Sequence, residues 1–278
     1  MIWGGGRAIL IVGGLLVSNM TTFADDLHPA DLVLKSGNSL TLESSFRTRF
    51  GWTEIAQRGS KPKAWDETVS PEARVSLKLL SGLFEGKLEL GAVTDQFAHF
   101  DSSTNYSLRS DLQLGVNLGD WSIAGEWKGR DVFAYDNGDF LVGLNVYDLR
   151  VKRRFSSRMF AGLPPGQFQL SIAGGYGASI PSLFQRDFAE CELEALQPLG
   201  NGFAVIIAPK LELSDYIDFA GQDRKDATLS LRVVPSYTFG GGVTLSVEGQ
   251  TTVAFSTLAA KSGESWGVTP ILRLQQAF

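Results

Sequence analysis

The chain has 278 residues, a net charge of -5, 44% hydrophobic and 11% aromatic residues, one cysteine and two histidines. Cys191 cannot form an internal disulfide and reads as a small apolar strand residue. His28 and His99 leave little material for a His-based metal site, so no cofactor is expected. Mild acidity without an aromatic-interleaved basic patch argues against nucleic acid as a partner, and the length suits about one large domain.

The first two dozen residues have the pattern of an export signal. Arg7 is their only charge, Ala8 to Val17 forms a short apolar core, and Thr22-Phe23-Ala24 offers small residues for cleavage before Asp25. Residues 1–24 are therefore expected to be a cleaved signal peptide, 25–38 a short periplasmic segment, and 39–278 a single domain. Beyond the signal, no run of about 18 apolar residues exists, which excludes helical spans.

From residue 39 onward the chain alternates with period two, as strands do. Leu40, Leu42, Phe46, Phe50 and Trp52 oppose Glu43, Ser45, Arg47 and Arg49. Val75, Leu77 and Leu79 oppose Arg74, Ser76 and Lys78. Phe84, Leu88 and Leu90 oppose Glu85, Lys87 and Glu89, and Leu108, Leu112 and Leu114 oppose Arg109, Asp111 and Gln113. Trp121, Ile123 and Trp127 oppose Glu126, Lys128 and Arg130. Val142 and Leu144 are apolar at even positions, whereas Tyr147, Leu149 and Val151 are apolar at odd ones, so a β-bulge is predicted between them. Asp148, Arg150, Lys152 and Arg154 continue the polar row.

The pattern then resumes. Phe168, Leu170, Ile172 and Tyr176 oppose Gln169 and Ser171. Ala189, Cys191 and Leu193 oppose Glu190, Glu192 and Glu194. Val205, Ile207, Leu211 and Leu213 oppose Lys210 and Glu212. Leu229, Leu231 and Val233 oppose Ser230, Arg232 and Ser236, and Leu245, Val247 and Val253 oppose Thr244, Ser246, Glu248 and Gln250. With a last strand this makes about twelve.

Short turns at Ser81-Gly82, 117–120, 198–202 and 239–242 alternate with longer polar segments at 57–69, 99–105, 178–186, 221–226 and 256–264. Two connections break the alternation: 136–139 is short on the long side, and 156–166 is long on the short side. Aromatics gather near the ends of the apolar face: Trp52, Phe84, Tyr106, Trp121, Phe133, Phe168, Phe203, Tyr237, Phe255 and Trp266. A soluble sandwich or lipocalin-like barrel also has one apolar and one polar face. The many strands and the two aromatic belts favour a barrel that spans a membrane.

The ending adds a third indication. Counted back, Phe278, Gln276, Leu274, Leu272, Pro270, Val268 and Trp266 share one face, and Ala277, Gln275, Arg273, Ile271, Thr269 and Gly267 the other. This strand resembles the closing strand of Gram-negative outer-membrane β-barrels, although Gln276 departs from the aromatic favoured there. The resemblance implies an all-β, transmembrane, antiparallel up-and-down barrel of about twelve strands, with ten or fourteen as alternatives. It also implies Phe278 as part of a signal read by the outer-membrane assembly machinery, and lipid and lipopolysaccharide as surroundings.

Enzymatic barrels supply little match. The outer-membrane phospholipase needs a His and Ser together on one strand, and no such pair is present. Asp95-Gln96-Phe97-Ala98-His99-Phe100-Asp101 only faintly resembles the omptin proteases, so no enzyme is expected. The polar face carries the functional expectation. Arg47, Arg49, Arg74, Lys78, Arg109, Lys128, Arg130, Arg150, Lys152, Arg154, Arg232 and Arg273 are expected to line a pore, with Glu190, Glu192, Glu194, Glu212 and Glu248 as its acids. The acidic eighth strand is expected to face the basic second strand across the lumen, giving a transverse field. The expected function is passive diffusion of small polar or anionic solutes; basic ladders in small barrels also resemble the porins that take acidic sugars. The alternatives are a component of a polysaccharide or protein export system, a closed structural or adhesive barrel whose charges neutralise one another, and, less favoured, a surface hydrolase. The short segment before the first strand argues against a passenger or plug domain.

Overall fold

The computed structural model describes residues 39–55, 64–98, 104–157, 163–219, 221–258 and 261–277. Twelve antiparallel strands run in chain order: β1 Ser39–Ile55, β2 Ala64–Ser81, β3 Phe84–Phe97, β4 Asn105–Leu118, β5 Trp121–Ala134, β6 Phe140–Ser157, β7 Gly166–Ile180, β8 Arg186–Gly200, β9 Phe203–Phe219, β10 Gln222–Thr238, β11 Val243–Ser256 and β12 Gly263–Ala277. Each pairs with its sequence neighbours, and β1 pairs with β12, so the sheet closes on itself and leaves no edge. No helix among the described residues is long and apolar enough to cross a membrane.

The alternation in the sequence becomes an outside and an inside. Phe46, Leu77, Leu88, Leu114, Ile123, Leu149, Ile172, Leu213, Leu229 and Leu272 all stand exposed on the outer surface, while the polar row between them is mostly buried. An apolar surface that encircles a closed barrel is compatible with lipid and costly in water. The outer aromatics pair across strands at both ends. Trp52 stacks on Trp266 with centroids 4.0 Å apart, and Tyr106 on Phe133 at 5.1 Å, at the end bearing the longer connections. At the opposite end Phe155 stacks on Phe168 at 5.2 Å, Phe203 lies 4.5 Å from Tyr237, and Arg153 covers the Trp121 ring. Between Trp121 and Phe133 the chain climbs about 40 Å along the strand, or about 30 Å along the normal at the usual barrel tilt, which matches a bilayer core.

Short turns join the strands at one end. Asn201 and Gly202 both have positive φ, 52° and 82°, as a tight hairpin requires, and a Cβ at Gly202 would lie 2.7 Å from the Thr238 carbonyl oxygen. The strands also explain where four prolines are tolerated. The ladder skips two residues at Pro71 toward β3, at Pro209 toward β8, at Pro235 toward β11 and at Pro270 toward β1, on the side where each missing N–H would have bonded.

Several expectations change. The predicted bulge between Val142 and Tyr147 is absent. The extra residue is Leu141, because Val132 pairs with Val142 while Phe133 pairs with Phe140. Val142 and Leu144 keep the even, inward phase and are buried there. Segment 221–226 is not a long connection, because β10 begins at Gln222. Likewise β2 already begins at Ala64, and β7 reaches Ile180 before a 3-10 turn, Ser182–Phe184, leads into β8. In each case a strand extends past the membrane into polar sequence, so its rim resembles a loop in composition. The segment 1–38, with His28, and His99 and Phe278 lie outside the described residues.

Candidate functional site

The interior is the chemically distinctive part of the molecule. Every basic and acidic residue predicted to line a pore on strands β1 to β12 faces it. The half formed by β5 to β10 is filled by ion pairs. Glu190 accepts from Arg150 Nη2 at 2.6 Å and from Lys210 Nζ at 2.6 Å. Arg150 also approaches Glu126 at 3.4 Å and Asp148 at 3.6 Å, and Lys128 Nζ lies 2.8 Å from Glu126. Arg186 Nη1 donates to Glu212 at 2.6 Å and to Ser214 Oγ at 2.8 Å. Arg232 pairs with Glu194 and reaches Glu192 at 3.7 Å and Glu248 at 3.8 Å.

This arrangement corrects the expected transverse field. Glu190, Glu192 and Glu194 do not stand as a bare acidic wall opposite β2. They are neutralised by Arg150, Lys210 and Arg232 on β6, β9 and β10, their near neighbours around the ring. Charges withdrawn from water are costly unless paired, so adjacent strands supply the counterions.

The half formed by β1 to β4 is differently balanced. Glu72 accepts from three arginines: Arg47 Nε at 2.8 Å, Arg74 Nε at 2.5 Å and Arg109 Nη1 at 3.1 Å. Arg74 Nη1 also donates to Glu89 at 3.0 Å. Arg109 and Arg130 are direct cross-strand partners, a like-charge pair made tolerable by Glu72 on one and by Asp95 on the other, 3.1 Å from Arg130 Nη2. Gly91 separates Arg74 from Arg109 in the ladder. A Cβ there would come within 3.1 Å of Arg74 Cγ, so its lack of a side chain lets both guanidinia reach Glu72. Toward the short-turn end Lys78, Glu85, Lys87, Glu89 and Arg154 stay partly open; the Lys78 side chain keeps 24% of its surface and Arg154 22%, against 1% for Glu126. Lys78 and Arg273 both pair with Glu43 nearby, at 3.5 and 2.9 Å.

Apolar clusters narrow both ends of the interior. At the loop end Phe184, carried inward by the 3-10 turn, packs on Val132, Val142 and Leu144, with Leu141 and Phe219 around them. Ser179 Oγ fixes the turn, accepting from Phe184 N at 3.0 Å and donating to the Pro181 carbonyl at 2.7 Å. Beside it Arg224 lies over the rings of Tyr216 and Phe219 at 3.9 and 4.7 Å and pairs with Asp226 at 2.5 Å. Lys261, in the connection between β11 and β12, sits 5.5 Å over Phe219. Burial and the neighbouring Arg224 lower its pKa below the usual lysine range, with Asp226 opposing in part. At the turn end Leu196, Ile206, Ala208 and Val234 form the second cluster.

The sequence reading left out Glu72, Asp95, Lys210, Arg186, Arg224 and Phe184 as site residues. Glu72 was detectable, because it lies two residues before Arg74 and shares its face. Arg186 and Arg224 sit in segments whose composition reads as loop. Asp95 is buried against Arg130 inside the barrel. Among the described residues no group of His, Cys, Asp and Glu is arranged to hold a metal ion.

No protein-family model and no curated protein matches the sequence. Solved structures do match in shape. An outer membrane channel from Pseudomonas putida F1 superposes with a TM-score of 0.57 over 91% of this chain and 100% of that one, at 12% identity. The fold is that of the outer-membrane β-barrels. LpxR from Salmonella typhimurium superposes with a TM-score of 0.50 at 6% identity, over 84% of this chain and 99% of that one. The translocator domain of the autotransporter NalP from Neisseria meningitidis gives 0.48 at 11% identity, over 96% of each chain. At these identities the likeness extends to the fold and not to the work the barrel does.

Proposed function

We propose that the protein is an outer-membrane channel through which small polar, mainly anionic, solutes diffuse. The observation that carries this reading is the unequal filling of the interior. Ion pairs dry the β5 to β10 half, while the partly open Lys78, Glu85, Lys87, Glu89 and Arg154 lead from the turn end to the arginines around Glu72. A path along β1 to β4 would pass Arg47, Arg49, Arg74, Lys78, Lys87 and Arg109 together with Glu43, Glu72, Glu85, Glu89, Asp95 and Asp111, and charged linings set the selectivity of water-filled pores. In the same reading the N-terminal segment is a cleaved export signal, the last strand with Phe278 is read by the assembly machinery, and the outer apolar band sits among lipid and lipopolysaccharide.

The test is conductance of the purified, folded barrel in a planar bilayer. Discrete steps with a reversal potential favouring anions are expected; a heat-modifiable, folded protein that gives no channel would sink the reading. The second reading, a closed barrel with a structural, adhesive or export role, draws support from the apolar clusters at the two ends. It predicts that silence. No catalytic role is proposed: Asp95 is held by Arg130 at 3.1 Å.

A further inference from the structure

We propose that the arginines of β1, β2 and β4 form an oxyanion-binding site inside the barrel, and that Glu72 is its built-in competitor. The ligand class is a small carboxylate or phosphate. Three guanidinia from three strands converge on the single Glu72 carboxylate, an arrangement ordinarily built around a bound anion. Arg109 Nε is buried and has no hydrogen-bond partner among the described residues.

Arg49 adds a fourth guanidinium. It lies on the inner face of β1, two residues from Arg47, and makes no ion pair among the described residues. Through space Glu248, Asp95 and Glu72 attract its charge, and Arg47 repels it. The bare backbones of Gly51 and Gly267 make room for it: ideal Cβ atoms there would lie 3.6 and 3.0 Å from Arg49 Nε. Three guanidinia thus bond Glu72, and Glu89 is shared by Arg74 at 3.0 Å and Lys87 at 3.3 Å. An incoming oxyanion would be held by the guanidinium donors that these carboxylates leave unsatisfied. Arg109 Nε and the guanidinium of Arg49 are the donors not already committed to a carboxylate, so they make first contact. The Glu72 carboxylate yields the other donors as the ligand enters.

This site rests on the channel reading for its part in transport, but binding itself does not require conduction. The test is calorimetric titration of inorganic phosphate into the folded, detergent-solubilised barrel, with folding of each variant checked by heat-modifiable migration. Wild type is expected to bind phosphate with millimolar affinity. Glu72→Gln should bind about tenfold more tightly, because the competing charge is gone, and Arg49→Gln about tenfold more weakly, the usual effect of one charge-assisted hydrogen bond. Arg49 is free of ion pairs among the described residues, so its variant should fold even if substitution at Glu72 perturbs assembly. Absence of binding in wild type, or equal affinity in wild type and Arg49→Gln, overturns the site. Binding with this ranking but without conductance overturns only the channel reading.

Discussion

Removing Glu190 is the most demanding test of the buried network. Its carboxylate is held at 2.6 Å by both Arg150 and Lys210, and all three side chains are almost wholly withdrawn from water. In Glu190→Gln the two cations lose their shortest ion pairs and keep longer contacts, among them Arg150 to Glu126 and Asp148 at 3.4 and 3.6 Å, and Lys210 to Glu212 at 3.6 Å. Deleting one partner of a buried pair costs about 3–5 kcal/mol, and the residual contacts place this variant near 3 kcal/mol. The matched control replaces Arg150, Glu190 and Lys210 together with apolar residues of similar size, which should recover most of the loss. The assay is reversible urea unfolding in lipid vesicles, followed by tryptophan fluorescence. A loss under about 1 kcal/mol, the range of an exposed pair, would show that water reaches Glu190 and that the β5 to β10 half is not dry.

Other consequences follow from the same geometry. Phe184→Ala removes the ring that seals Val132, Val142 and Leu144 at the loop end, so single-channel conductance should rise; an unchanged conductance would show that the path avoids this turn. Cys191 is exposed on the outer face of β8, so in vesicles a bilayer-soluble maleimide should label it while a charged, impermeant one should not. Equal labelling by both would place that face in water. Trp52→Ala should cost about 1 kcal/mol through loss of its stack on Trp266, read in the same urea assay. The lowered pKa of Lys261 means that the docked position of this residue is favoured as pH rises through that pKa toward the ordinary lysine value, because the buried charge and its repulsion by Arg224 are relieved, and is disfavoured as pH falls through it. Proteolysis at the β11–β12 connection should therefore slow from neutral pH to about pH 10, and Lys261→Met should flatten the profile.

The sequence and the structure agree where period two is sufficient. Leu77 outward with Arg74 and Lys78 inward, or Leu193 outward with Glu192 and Glu194 inward, follow from alternation alone, and closure follows from the number of such strands. Val142 and Leu144 show the limit of that rule. Apolar residues were assigned to the lipid face, but near the rim an inward apolar residue is stable when another, here Phe184, covers it. Pairing was less legible for a different reason. Arg150 meets Glu190 and Arg232 meets Glu194 across register set by turns, and nothing within 40 residues of local pattern fixes that register. Without it, charges sorted by strand looked like opposing walls. With it, they are neighbours that cancel. Arg186 and Arg224 were lost because strand ends beyond the membrane are as polar as loops.

The central claim is that anions pass through the β1 to β4 side of the barrel. Planar-bilayer recording of wild type and of Arg49→Gln/Arg109→Gln under a salt gradient tests it most directly. The account predicts an anion-selective wild-type channel whose reversal potential moves toward cations in the double variant. A conducting channel whose selectivity is indifferent to both arginines would contradict it.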